Sequence, residues 1–162
     1  MGDEMKKLGK LEALLWSIAF PGFPQLLIGQ HIKGILFLFL EMLVNVLSRF
    51  NVAIIHSFNG EMNKAFEVID YQWLMFYPCL YMFSMWDAYR SASPQTSSEK
   101  FTFLPFVFGA YFVTVGLIYS RKFELFGISL GPVFLPMLAL IPGLLIGFLI
   151  RKILLRRFEE NT

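Results

Sequence analysis

Two carboxylates stand in apolar runs of this chain, where a titratable group needs a reason to be. Glu41, Asn45 and Arg49 recur at i, i+4 and i+8, so a helix through them carries all three on one face. Glu41 lies seven residues after Gly34, where its apolar run starts, which is roughly 10 Å at helical rise. Asp87 stands near the end of the next run, at a similar depth. A charge held there calls for a cation, and His31 or Lys33 just upstream is the nearest supply. Such groups suit proton- or substrate-linked work. They equally suit hydrogen bonding between neighbouring helices, with Arg49 reaching out to a polar surface. An acid–base pair made of Glu41 and Asp87 would need the two close together, which spacing alone does not give.

Other candidate chemistry is thinner. Met75, Cys79, Met82 and Met85 share roughly one helical face. Soft sulfur could take Cu(I), but methionine filling gaps between helices is the expectation, with no metal and no cofactor. Cys79 is the single cysteine, so an intrachain disulfide and a CxxC site are excluded. The sequence contains no HExxH, GxSxG or P-loop pattern.

The elements that must carry these residues follow from composition. Of 162 residues, 56% are hydrophobic and only 16% charged. A soluble domain carries about a quarter charged residues, so a water-soluble enzyme, a disordered chain and a nucleic-acid binder are all excluded. The expected class is an all-α integral membrane protein forming one membrane domain over residues 1–162. Four runs are apolar enough to cross a bilayer, which takes about 20 residues as a helix. They are Gly34–Val52, Tyr71–Tyr89, Phe101–Ser120 and Leu125–Ile150, the last giving a span over about residues 130–152. Pro132, Pro136 and Pro142 predict that the last is kinked or begins as a short non-spanning piece.

Leu8–Gln30 is apolar too, but Pro21-Gly22-Phe23-Pro24 interrupts it. Two prolines around a glycine make a turn, not a helix centre. The segment over residues 8–30 therefore reads as a re-entrant or interfacial helical hairpin. Positive charge supports that choice. If 8–30 does not cross, Lys6, Lys7, Lys10, Lys33, Arg90, Lys100, Arg151, Lys152, Arg156 and Arg157 share one side. Arg49, Lys64, Arg121 and Lys122 take the other, a bias of 10 to 4. If it crosses, the bias vanishes at 7 to 7. The expected topology has both termini cytoplasmic and residues 153–162 as a basic tail against anionic headgroups. Lys6, Lys7 and Lys10 ahead of Leu11–Phe20 have the outline of a secretory signal, but Glu12 interrupts it and no small-x-small site follows.

The connections complete the plan. His56–Asp70 is an outer loop in which Phe58, Met62, Phe66 and Ile69 recur at helical spacing, and Ser91–Lys100 is a polar inner loop. Gly127-x-x-x-Gly131 and Gly143-x-x-x-Gly147 offer small surfaces for helix packing, within the bundle or between copies.

Within the hairpin, Pro21, Gly22, Pro24 and Gln25 are followed by Gly29-Gln30 and Lys33-Gly34, then an apolar run. This resembles the PGxGQ…GQ…KG signature of small multi-spanning bacterial membrane proteins, loosely related to the two-transmembrane-helix-domain family. The likeness covers about residues 5–45. Pro24 stands where that family has its second glycine, and Leu27-Ile28 where it has an aromatic residue and Asn before the GQ. The resemblance implies a structural hairpin feeding a span, in the inner membrane of a bacterium. Read from the residues alone, Gly22 permits the turn, and Gly29 and Gly34 allow close approach. Gln25 and Gln30 bond frayed backbone near the turn, or else line a pocket with His31 and Lys33.

The functional expectation is a non-enzymatic multi-pass protein of the cytoplasmic membrane. It would serve as an assembly, regulatory or scaffold component, with the bilayer and a second copy or a membrane protein as partners. The alternative is a transporter or channel-like subunit working through Glu41 and Asn45.

Overall fold

A computed structural model describes residues 8–92 and 100–160. The expected roles of Lys6, Lys7 and most of the Ser91–Lys100 loop fall outside the described residues. The chain is predominantly helical: α1 (Lys10–Ala19), α2 (Phe23–Leu27), α3 (His31–Ser48), α4 (Phe50–Phe58), α5 (Met62–Val68), α6 (Tyr71–Leu74), α7 (Tyr77–Ser91), α8 (Leu104–Tyr119) and α9 (Gly131–Glu160). A two-stranded antiparallel ribbon, β1 (Glu124–Leu125) and β2 (Ile128–Ser129), precedes α9, with Glu124 opposite Ser129.

The long helices form an antiparallel array. Against α3, α7 runs the opposite way: Lys33 meets Asp87, the rings of Phe37 and Phe83 lie 5.8 Å apart, and Glu41 meets Tyr77. Next to α7 lies α8, with the rings of Tyr89 and Phe106 6.2 Å apart. The tightest seam joins α8 to α9. A Cβ on Gly143 would meet the Phe108 carbonyl oxygen at 2.7 Å, and one on Gly147 would meet Pro105 Cα at 2.5 Å. From the other side, a Cβ on Gly116 would meet Pro136 Cα at 2.8 Å. The Gly143-x-x-x-Gly147 face is thus used inside the molecule. Gly127-x-x-x-Gly131 is no helix surface, because Phe126 (φ 52°) and Gly127 (φ 78°) make the left-handed turn of the β-ribbon. That ribbon takes up the start of the apolar stretch Leu125–Ile150 and ends just before the span expected from about residue 130.

Among the described residues, two helices are long and apolar enough to cross a membrane: His31–Ser48 and Gly131–Phe158. The other two expected spans differ from expectation. Tyr71–Tyr89 is divided between α6 and α7, because Pro78 has no N–H to offer the carbonyl of Leu74 and the chain turns at Met75-Phe76. Phe101–Ser120 yields the 16-residue α8, since Phe101 adopts φ 60° and the helix starts only at Leu104. The expected end of the first span at Val52 moves back to Ser48, where Arg49 takes a left-handed conformation (φ 55°) and α4 sets off anew. In contrast, α9 runs through Pro136 and Pro142 and carries on to Glu160. Residues 153–160 are its last turns and not a separate tail.

The interior has an unusual composition. Ala13, Ser17, Gln25, Ser48, Ala53, Ser57, Ala65, Ser84, Ala88 and Ser120 are buried almost completely, and Leu74 is the largest side chain fully enclosed. Leu8, Phe37, Val44, Ile69, Met82 and Leu117 are buried with them, but most large apolar side chains face outward. On α3 these include Ile32 (86% exposed), Ile35, Leu36, Phe39, Met42 and Val46, and on α9 Met137, Ile141, Leu145, Phe148 and Leu149. Small residues let helix backbones approach closely, and most of the bulky ones are turned away from the seams.

Overpacking the α8–α9 seam should cost about 1–3 kcal/mol. Gly147→Val is therefore expected to lower the thermal unfolding midpoint of the detergent-solubilised protein. Gly9→Ala, where an added Cβ meets nothing within 4 Å, should leave it in place.

Candidate functional site

The candidate site is built where the N-terminal hairpin meets α3 and α7. From Lys10, whose ammonium lies 5.0 Å over the Tyr89 ring, α1 runs alongside α7 to Ile18, whose carbonyl accepts the Tyr81 hydroxyl. Tyr81 is ten residues before Ser91, so this point lies about 15 Å along α7 from its end. There the chain reverses at Pro21-Gly22. Gly22 adopts φ 95°, which favours glycine, and a Cβ on it would meet the Gly34 carbonyl oxygen at 2.5 Å and Phe37 Cβ at 2.9 Å. The contact is reciprocal, because a Cβ on Gly34 would meet the Gly22 carbonyl oxygen at 2.8 Å. After the reversal α2 and Gly29-Gln30 lead back to the level of Lys10. The hairpin leaves from and returns to the same end of the helix array.

The return leg carries Gln25, which is 0% exposed. Its amide Nε2 donates to the Ser84 carbonyl at 3.0 Å and to Asp87 Oδ2 at 3.2 Å. The other carboxylate oxygen, Asp87 Oδ1, pairs with Lys33 Nζ at 2.9 Å. Asp87 is mostly enclosed and Lys33 half-exposed, so the ammonium reaches in from the rim. One carboxylate on α7 therefore binds α2 and the first turn of α3 at once. Gln25 Oε1, Gln30 Oε1 and Ser84 Oγ are buried with no hydrogen-bond partner among the described residues. The site is a clamp with acceptors to spare. It can hold a hydrogen-bond donor, and its carboxylate and ammonium, Asp87 and Lys33, are paired with each other. His31, expected beside Lys33, stands exposed at the start of α3.

Glu41 belongs to a different set of bonds. Glu41 Oε1 accepts from Asn45 Nδ2 and from the Tyr77 hydroxyl, each at 3.4 Å. Asn45 bridges the break between α3 and α4: Nδ2 donates to Asn51 Oδ1 at 3.2 Å, and Oδ1 accepts the Asn51 N–H at 3.3 Å. The cation expected for Glu41 goes to Asp87, and the two carboxylates take different partners. The sequence had not singled out Asn51, Tyr77 or Ser84. Asn51, six residues past Asn45, carried a signal only once the helix break was known.

At the far end of the array, Arg121 donates from Nη2 to the Phe66 carbonyl at 2.6 Å and stacks over Phe66 and Tyr71. Glu61 lies between α4 and α5 and bonds both Lys64 and His56 at 2.6 Å. Those bonds, Lys64 first, hold its carboxyl below the ordinary carboxylate value. Among the described residues no group of three or more His, Cys, Asp or Glu side chains is placed to hold a metal ion. No family model, curated protein or solved structure matches this chain.

Removing Asp87 should matter more than removing Lys33, because it strips a partner from a buried amide as well as from the ammonium. Asp87→Ala is expected to lower stability by about 1–3 kcal/mol, and Lys33→Met by about 0–1 kcal/mol, the range of a half-exposed pair. Amide hydrogen exchange over residues 10–28 checks this, and should speed up strongly in the first variant and weakly in the second.

Proposed function

We propose that this chain is a non-enzymatic multi-pass membrane protein, an assembly, regulatory or scaffold component of the cytoplasmic membrane. In this reading α3, α6 with α7, α8, and α9 cross the bilayer, and the α1–α2 hairpin dips in from the cytoplasmic face and returns to it. The observation that carries the proposal is the inverted distribution of side chains. Alanine, serine and glycine make up much of the seams, with a few larger side chains such as Phe37, Leu74 and Leu117 among them, while most of the Phe, Ile, Leu and Met side chains cover the outside. In water so large an apolar exterior would drive aggregation. Against lipid tails it costs nothing, and close packing of small residues holds the helices together.

Supporting features agree with it. The 21 residues from Tyr71 to Ser91 have the length of a crossing despite the turn at Met75-Phe76. Lys10, Lys33, Arg90, Lys100 and Arg151 gather at the end of the array where the hairpin opens. Arg49, Lys64 and Arg121 lie toward the other end. That is the asymmetry expected of a cytoplasmic hairpin. The basic last turns of α9 would rest on anionic headgroups, and the exposed face of α3 is available to a second copy or a membrane partner. The likeness of Pro21–Gly34 to the two-transmembrane-helix-domain pattern implies the same hairpin. A transport role would place Glu41 on a path for protons or substrate. Its carboxylate is instead engaged in bonds within α3 and to α7, which suits cohesion.

The test is reconstitution. Vesicles carrying the protein and an internal pH dye should dissipate an imposed pH gradient no faster than protein-free vesicles, and Glu41→Gln should not change that rate. Glu41→Leu should cost about 0.5–1.5 kcal/mol of stability per lost bond, read as a lower thermal midpoint. A gradient collapse that depends on Glu41 would replace the scaffold reading with the transport one.

A further inference from the structure

Resting on that membrane reading, we infer that the groove between α7 and α8 holds one acyl chain of an anionic phospholipid, with its phosphate at Arg90. The groove encloses about 650 Å³ and is lined by Met82, Phe83, Trp86, Phe103, Val107 and Thr114 among others. Its wall is apolar almost throughout. Even the Thr114 hydroxyl is turned back, donating to the Ala110 carbonyl at 2.8 Å. From Phe103, just before α8, to Thr114 the groove follows eleven helical steps, about 16 Å at helical rise. One leaflet of a hydrocarbon core is about 15 Å deep. The groove therefore starts at the hairpin end of the array and stops near mid-membrane, the reach of a single chain.

Charge marks the end where the headgroup belongs. The exposed Arg90 lies one turn beyond Trp86, with its guanidinium 5.4 Å from the indole ring. Trp86 Nε1 is itself buried with no partner among the described residues. An indole N–H only donates, and a guanidinium offers five N–H groups suited to phosphate oxygens. A protein helix is the poorer occupant. Helices dock through small residues, and the glycines of α8, Gly109 and Gly116, already face α9. What α8 leaves toward the groove is bulky, with Phe103 and Tyr111 prominent.

Trp86 serves as the reporter. In a Trp16→Phe, Trp73→Phe background it is the sole tryptophan. The protein is reconstituted into phosphatidylcholine vesicles containing a small, fixed fraction of either phosphatidylglycerol or phosphatidylcholine brominated at mid-chain. Brominated phosphatidylglycerol should quench Trp86 more strongly, reflecting about a fivefold local enrichment, the effect of one cation on an anionic lipid. Arg90→Gln, an exposed change, should make the two lipids equal. Val107→Phe, which fills the groove from an exposed position, should also remove the difference. Equal quenching by both lipids in the unmodified groove would overturn the inference and leave the membrane reading intact. So would selectivity that survives Val107→Phe, since the chain would then lie elsewhere. Trp86 emission that shifts as the protein is diluted in lipid would put a second copy in the groove, and also overturn it. Absence of quenching by either lipid would refute the membrane reading itself.

Discussion

A carboxylate placed among apolar side chains has to be met by donors, and among the described residues those at Asp87 come from the N-terminal segment. Gln25 supplies an amide and Lys33 an ammonium. Both lie within a dozen residues of the Pro21-Gly22 reversal. The arrangement works only if the chain turns back there. Had α1 continued in its own direction, Gln25 would have been carried away from Ser84 and Asp87, and a buried amide and a buried carboxylate would each have lacked a partner. The glycines make the same demand sterically, since Gly22 and Gly34 approach so closely that neither position has room for a Cβ. The hairpin, the register of α3 on α7 and the depth of the turn are thus fixed together.

The rest of the array obeys a complementary rule. Where helices meet, side chains are small: Gly143 and Gly147 on α9, Gly109 and Gly116 on α8, Ser84 and Ala88 on α7, Ala13 and Ser17 on α1. Some buried hydroxyls return to their own helices, as Ser17 does to the Ala13 carbonyl at 2.8 Å and Ser48 to the Asn45 carbonyl at 3.2 Å. Most of the bulk is placed outside. Cohesion then comes from dispersion and backbone proximity, with polar groups fastening the few points where helices break. Asn45 with Asn51 does this at the α3–α4 corner, and Asp70 at the start of α6, where it accepts the Gln72 N–H at 2.9 Å.

Much of this was legible in the residues. The helical class, the turn at Pro21-Gly22 and the small faces of Gly143 and Gly147 follow from composition, proline chemistry and spacing, whereas Gln25, expected to bond frayed backbone at the turn, reaches across to Ser84 and Asp87 on α7. The pairing of Lys33 was not legible either. Glu41 lies two turns away along the same helix and looked the better match, whereas Asp87 is 54 residues distant and needed the antiparallel register of α3 and α7 to come into reach. Helix ends were the other blind spot. Arg49 in a left-handed conformation leaves no mark in an apolar run, so the first span was drawn too long. Pro78 is visible in the sequence, but prolines also sit inside α9 without stopping it. Whether a proline breaks a helix depends on whether neighbours take up the freed carbonyl, and that is a property of packing.

The most direct test of the account is the sidedness of the hairpin. With Cys79→Ser removing the native thiol, Gly9→Cys, His31→Cys and Asn59→Cys are each expressed in intact cells and treated with a membrane-impermeant maleimide. Asn59→Cys should label from outside, and both Gly9→Cys and His31→Cys should label only after the cells are opened. Labelling of Gly9→Cys and His31→Cys from opposite sides would mean that the segment passes through the membrane, and would contradict the account at its root.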